Sequence, residues 1–317
     1  MLTLPASGDA GAFAVAAQAG GYILFPQDIT GIEGTRALTE SLAASGIPPF
    51  IGIDEEGGIV SRLSAAGLEG YKKPPAAAEI GRTGNADAAY EAACTIGAAL
   101  QSIGVHIDFA PVADVLTEPS NTVIGTRAYG NDAALVSEMT AAFRRGLNDC
   151  GILSVTKHFP GHGGTLGDSH DGYVSILHDA ARLAEVEYLP FRRAIADGAA
   201  FIMAGHITAP NADASGLPAT LSPYFLTEIL RGELGFEGII VTDAMNMGAV
   251  AKNYTPAEAA ALAVLAGADI ILMPANYAEA LDGLVNAVES GVISTERLDA
   301  SVARILRAKW DAGLFQE

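Results

Sequence analysis

The chain of 317 residues contains only two cysteines, Cys94 and Cys150, too few for a disulfide framework or a thiolate cluster. Positive charge is equally scarce. Lys and Arg number 18 against 37 Asp and Glu, a formal net charge of −19 with a pI near 4.6. That balance argues against nucleic acid and anionic membrane surfaces as partners, and its plain consequence is solubility. No apolar run approaches the ~18 residues a membrane span needs. The opening "MLTLPASGDAGAF" has neither the basic start nor the apolar core of a secretory signal. A soluble protein is expected, cytoplasmic if the N-terminus is untrimmed. Repeats, low-complexity tracts and linkers are missing too. The expectation is one domain over residues 1–317, acting as a monomer.

Half of the residues are hydrophobic, enough for a large core. Short apolar runs alternate with helical patterns: "MLTL" (1–4), "YILF" (22–25), "FIGI" (50–53), "HIDFA" (106–110), "ILSVT" (152–156), "AFIM" (200–203), "IIVT" (239–242) and "DIILM" (269–273). Most are continuously apolar, as strands buried on both faces should be. Between them lie helix starts. Asn85 precedes a helical stretch that ends before Gly104, Ser222-Pro223 opens another, and "TPAE" (255–258) reads as a capping box. Eight strands alternating with helices predict an α/β fold, a (β/α)8 TIM barrel in a single domain, with a doubly wound open sheet as the alternative.

A barrel places its chemistry where strands end. Asp54 follows "FIGI", Lys157-His158 follow "ILSVT", His206 comes soon after "AFIM", and Asp243 follows "IIVT". Arg127 lies in the loop-like "NTVIGTRAYG". Loops are polar in any protein, and a strand-ending aspartate commonly caps the next helix. His206 reads equally well as a hydrogen-bonded packing residue. The shared placement of these residues is the stronger signal.

The densest stretch is "KHFPGHGGTLGDSHDG", residues 157–172, with three of the six histidines. Its glycines mark a loop. Three readings arise. Zinc ligation would draw on His158, His162, Asp168 and His170, yet Pro160 and the glycines prevent the helix on which an i, i+4 histidine pair works. A phosphate loop needs its lysine after the glycines, and Lys157 precedes them. Acid/base work would use Asp168 and His170, one residue apart and so on one side of an extended stretch. There the carboxylate fixes the imidazole's tautomer and raises its proton affinity. A solvated loop histidine beside an aspartate is the bland equivalent.

Taken with "YILFPQDI", "IGIDEEGGIVSRL", "GVHIDFAPVADV", "VIGTRAYG", "MAGHITAP", "GFEGIIVTDAMNMGAV" and "AGADIILMP", that stretch resembles glycoside hydrolase family 3, in its single-domain β-N-acetylglucosaminidase branch. The resemblance runs from about Tyr22 onward, with the segments in family order. It implies a (β/α)8 barrel, no metal and no cofactor, and retaining hydrolysis of a β-linked sugar through a covalent glycosyl-aspartate. By motif, Asp243 would be the nucleophile, His170 the acid/base and Asp168 its partner. Asp54, Arg62, Arg127, Lys157, His158 and His206 would bind the sugar. Terminal β-N-acetylglucosamine on small glycoconjugates such as cell-wall (peptidoglycan) fragments is the implied substrate. A histidine base would also admit an anionic acceptor, so a β-glucosidase or a phosphorylase is the alternative on this fold. A metal-dependent hydrolase using the histidine cluster is the alternative of another class. Two departures stand out. Glu55 replaces the family's usual Gln, adding a charge near the sugar site, and "DGYVSI" replaces its usual Leu-Pro pair.

Overall fold

The computed structural model describes residues 1–43, 46–165 and 174–315. Among these residues eleven strands follow one another in chain order: β1 (Leu2–Thr3), β2 (Gly21–Ile23), β3 (Phe50–Ile53), β4 (Glu55–Gly57), β5 (Val60–Ser61), β6 (Ile107–Asp108), β7 (Leu153–Phe159), β8 (Val174–Ser175), β9 (Phe201–Ala204), β10 (Ile207–Thr208) and β11 (Ile239–Thr242). Among the described residues seven of them form one parallel sheet in the order β1-β2-β3-β6-β7-β9-β11. That order never reverses. A doubly wound sheet must reverse at its switch point, so the open-sheet alternative is excluded. β4 and β5 form an antiparallel hairpin directly after β3, and β8 pairs parallel with β10.

Side-chain alternation builds two apolar layers, as it must where a sheet is buried on both faces. Ile23, Phe50, Ile107, Val155, Phe201, Met203, Ile239 and Val241 form one cluster on the inner face of the curled sheet. Their neighbours Tyr22, Leu24, Ile51 and Ile53 pack outward among Ala89, Ile96, Leu100 and Val136. On the far side, Ile202 and Ile240 pack outward against Phe191, Phe225 and Leu230.

The helices start where their caps dictate. Asn85 Oδ1 accepts from Asp87 N at 3.0 Å ahead of helix Ala86–Ser102. Thr255 and Glu258 cap each other at the head of helix Pro256–Ala266, which has proline in its first turn. The segment opened by Ser222-Pro223 winds more loosely, as a π-helix over Tyr224–Glu233. Among the described residues no helix is long and apolar enough to cross a membrane.

Two strand expectations change. "KHF" of the glycine-rich stretch belongs to β7, which runs to Phe159; the glycines begin only after Pro160. "DIILM" forms no regular strand but makes a single parallel bridge, Val241 with Ile270. Side chains replace part of its ladder: Ile240 N donates to Asp269 Oδ2 at 2.9 Å, and Leu272 N to Thr242 Oγ1 at 3.0 Å. On its other side, Met273 N donates to Met1 O at 2.9 Å and the Met1 amino group to Ile271 O at 2.6 Å.

Candidate active site

The parallel sheet gathers the C-terminal ends of its strands on one rim. Asp54 leaves β3, and Glu56, two residues on in β4, returns its carboxylate to the same side. Lys157, in β7, reaches both: Nζ is 2.7 Å from Asp54 Oδ1 and 2.7 Å from Glu56 Oε1. Arg127, at the end of the turn Gly125–Arg127, grips Glu56 with two parallel hydrogen bonds, Nε to Oε2 and Nη2 to Oε1, both 2.8 Å. Arg62 stands 3.8 Å from Asp54. Burial disfavours ionisation of Glu56, but Arg127 and Lys157 outweigh it and hold the carboxyl far below the usual range. Burial likewise opposes the charge on Lys157, and Asp54 and Glu56 more than restore it. Glu56 and Lys157 are therefore both ionised near neutral pH.

Asp114, in the loop after β6, organises the end of β7. Its Oδ2 is 2.7 Å from His158 Nδ1, while its Oδ1 accepts from the backbone N–H of His158 at 3.3 Å and of His162 at 2.6 Å. Burial opposes the charge on Asp114, but His158 and His162 together keep its carboxyl low. An ionised Asp114 assigns the proton to His158 Nδ1, leaving Nε2 on the side of Arg127, 3.5 Å from its Nη2.

Asp243 follows β11. Its N–H donates to Ala204 O at 2.8 Å, continuing the ladder, and its Oδ1 accepts from Ala244 N at 2.8 Å. Burial resists its ionisation. His206, His158, the Ala244 N–H and Lys157 overcome that resistance, so the carboxylate is held below its ordinary range. His206 is fully buried. Its Nε2 donates to Ala244 O at 2.9 Å, and its Nδ1 lies 2.8 Å from Thr220 Oγ1. Both ring nitrogens are engaged, and the ring holds the carbonyl of Ala244, the residue whose N–H donates to Asp243.

Asp54, Arg62, Arg127, Lys157 and His158 thus share one contact network. Asp243 lies within electrostatic reach of Lys157 and His158, and His206 supports it through Ala244. Asp168 and His170 lie outside the described residues. Sequence reasoning passed over Glu56 and Asp114. Glu56 was legible as the i+2 neighbour of Asp54, which shares its side of an extended chain; Asp114 offered no spacing signal of its own. Glu55 calls for a correction. Its carboxylate is buried away from the lattice, accepting from Leu63 N at 2.9 Å and Tyr71 Oη at 3.0 Å, and burial raises its pKa despite those bonds. It pins the hairpin instead of adding charge where Lys157 and Arg127 converge. His162, from the zinc reading, contacts Thr165 Oγ1 through Nδ1 at 2.8 Å. Among the described residues no group of three His, Cys, Asp or Glu has metal-binding geometry.

Several known proteins are similar to this chain. Beta-hexosaminidase A of Pseudoalteromonas piscicida is 33% identical over 92% of this chain and 53% of its own length. Beta-hexosaminidase LpqI of Mycobacterium tuberculosis is 36% identical over 89% of this chain and 73% of its own. The solved structure of a glycoside hydrolase family 3 β-N-acetylglucosaminidase from a Paenibacillus species superposes with a TM-score of 0.94 at 39% identity, covering 100% of this chain and 61% of that one. The chain therefore spans little more than half the length of two of these relatives. The description "Glycosyl hydrolase family 3 N terminal domain" matches residues 15–308, and with these likenesses at the level of sequence and fold the chain belongs to glycosyl hydrolase family 3.

Proposed function

We propose that this chain is the catalytic unit of a retaining β-N-acetylglucosaminidase that removes terminal β-linked N-acetylglucosamine from small glycoconjugates, cell-wall fragments among them. The observation that carries the reading is Asp243: a half-buried carboxylate at a strand end, held below its ordinary range by His206, His158, one backbone N–H and Lys157, beside an ion lattice with acceptors to spare. The family likeness supplies the reaction class, and the names of the relatives supply the sugar.

In this mechanism Asp243 attacks the anomeric carbon as the glycosidic oxygen takes a proton from His170, whose ring Asp168 orients. A glycosyl ester of Asp243 results. His170 then removes a proton from water, which releases the sugar with its configuration retained. Asp54, Lys157, Arg62 and Arg127 suit the sugar hydroxyl groups, because charge-assisted hydrogen bonds are about twice as strong as neutral ones. His158 presents Nε2 beside them. A histidine base puts no second carboxylate against the Asp243 ester. The unit proposed is a single (β/α)8 barrel, with residues 269–273 as its eighth stave between β11 and Met1; the hydrogen bonds on both sides of that segment support this.

The test is turnover of nitrophenyl β-N-acetylglucosaminide, with and without phosphate and beside the glucoside. Asp243→Asn should lower kcat by more than about 1,000-fold with the melting temperature unchanged. A fluorinated sugar should label Asp243 covalently. Label on another residue, or full activity in the variant, would overturn the reading.

A further inference from the structure

Outside the ion lattice the described residues hold two buried carboxyl groups with an unpartnered oxygen and no place in the mechanism above, Asp108 and Glu187, and only Glu187 also pairs with a cation. Glu187 ends the wide turn Leu183–Glu187 and its side chain is fully buried. Oε2 accepts from Arg182 Nη1 at 3.0 Å; Oε1 has no hydrogen-bond partner and lies 3.9 Å from His178 Nε2. Burial pushes the carboxyl up to about 7, although Arg182 pulls it down. An unsatisfied buried oxygen is destabilising, a cost that a simple surface Arg–Glu pair would avoid.

Its position is informative. A Cβ on Gly161, at φ +131°, would stand 3.0 Å from Glu187 Cβ and Cγ, so the backbone leaving β7 rests directly on this side chain. The next residue, Tyr188, stacks on Phe159 with ring centroids 5.5 Å apart. A Cβ on Gly164 would meet Ile176 Cδ1 at 2.9 Å and His178 Nε2 at 3.3 Å. Ile176 is itself anchored by its N–H to Thr208 O at 2.9 Å. Gly161 and Gly164 precede residues 166–173, and Ile176 and His178 follow them. Glu187 and its neighbours therefore touch the chain on both sides of the segment that carries Asp168 and His170.

We propose that Glu187, together with Arg182 and His178, is a positioning residue that holds the chain entering residues 166–173 against the chain leaving them. It thereby sets the span across which the acid/base pair is presented to the glycosidic oxygen. This rests on the assignment of Asp168 and His170 made above. Close packing at both glycines that precede the segment makes the span sensitive to what fills the space behind Gly161. A misplacement of about 1 Å at a catalytic group costs up to about 100-fold in rate.

The experiment compares Glu187→Ala, Glu187→Gln, His178→Ala and His170→Ala on nitrophenyl β-N-acetylglucosaminide and on N,N′-diacetylchitobiose, with and without azide. The disaccharide needs a proton on its leaving group; nitrophenolate does not, and azide attacks the glycosyl ester without a general base. Glu187→Ala should lower kcat on the disaccharide about 10- to 100-fold with KM little changed. Azide should restore much of the rate on the nitrophenyl substrate only, and the isosteric Gln should retain most activity. Equal, azide-insensitive losses on both substrates that follow the folded fraction, or no loss at all, would overturn the proposal. If Glu187→Ala does not fold, His178→Ala is read in the same way. His170→Ala separates the two ideas. Without the azide signature there, the acid/base assignment fails; with it there and in neither Glu187→Ala nor His178→Ala, only the positioning role fails.

Discussion

Two buried ion networks stand at opposite ends of the sheet, built from the same residue types. At the N-terminal ends, Asp269 is closed on every side. Its Oδ2 takes Arg231 Nη2 at 2.6 Å and Ile240 N at 2.9 Å, and its Oδ1 takes Ser301 Oγ at 2.6 Å and Arg304 Nη1 at 3.2 Å, with Arg297 3.7 Å away. One acid meets three arginines, two of which, Arg231 and Arg297, also tie down backbone carbonyls of Phe236, Gly238 and Ala268. At the C-terminal ends, four acids (Asp54, Glu56, Asp114 and Asp243) meet three permanent cations (Arg62, Arg127 and Lys157), and Asp54 stays partly exposed. A closed network can only stabilise. An open one keeps acceptor capacity for something else, and a polyhydroxy ligand is the chemistry that fits it. Buried ion pairs contribute little net stability, so the open network is better explained by ligand binding than by folding.

The largest expected effect tests the open end. Glu56→Gln removes the acid that both Lys157 and Arg127 grip, leaving two buried cations short of charge. kcat/KM should fall about 100-fold, and stability by about 3–5 kcal/mol, read by nitrophenyl-sugar kinetics and urea unfolding. A stable variant with unchanged kinetics would erase the contrast. Next comes the closed end. Asp269→Asn should cost about 3 kcal/mol in unfolding free energy, while the activity of the folded fraction stays as it was. Lost activity without lost stability would make that end functional too.

The smallest effect belongs to Glu55, next to Glu56 in sequence but opposite in electrostatics. Its folded-state pKa is raised above the ordinary 4.5, so the folded protein holds this proton more tightly than the unfolded chain. The group's contribution is present below pH 4.5 and falls as pH climbs through the raised value. Glu55→Gln removes that loss. Relative to the parent, the variant should become more stable as pH rises from 4.5 to 8, with kcat/KM unchanged. Urea midpoints measured across that range would show it, and a gap that narrows with pH would contradict the sign.

Much of the fold was legible because its signals are local. The apolar runs 50–53 and 239–242 became β3 and β11 with the bounds read from the sequence, and the Asn85 and Thr255 caps opened their helices. The run 269–273 misled because apolar composition reports burial, not ladder geometry; the side chains of Asp269 and Thr242 take over hydrogen bonds that a strand would have made. In the site, Asp54, Lys157 and Asp243 were visible as polar residues directly after apolar runs, although Lys157 itself lies within β7. Asp114 was not, since its role is to hold His158 and His162 across 44 and 48 residues of chain.

By itself the sequence determined the alternation of strand and helix, the rim on which chemistry collects and the family, because periodicity, caps and motif order are written in neighbouring residues. Only the tertiary structure decided which acid in "DEEGG" joins the lattice, which oxygen orients His158, and that Asp269 closes one end while the other stays open. Those outcomes depend on burial and on charges brought together from distant segments, and desolvation has no counterpart in a linear string.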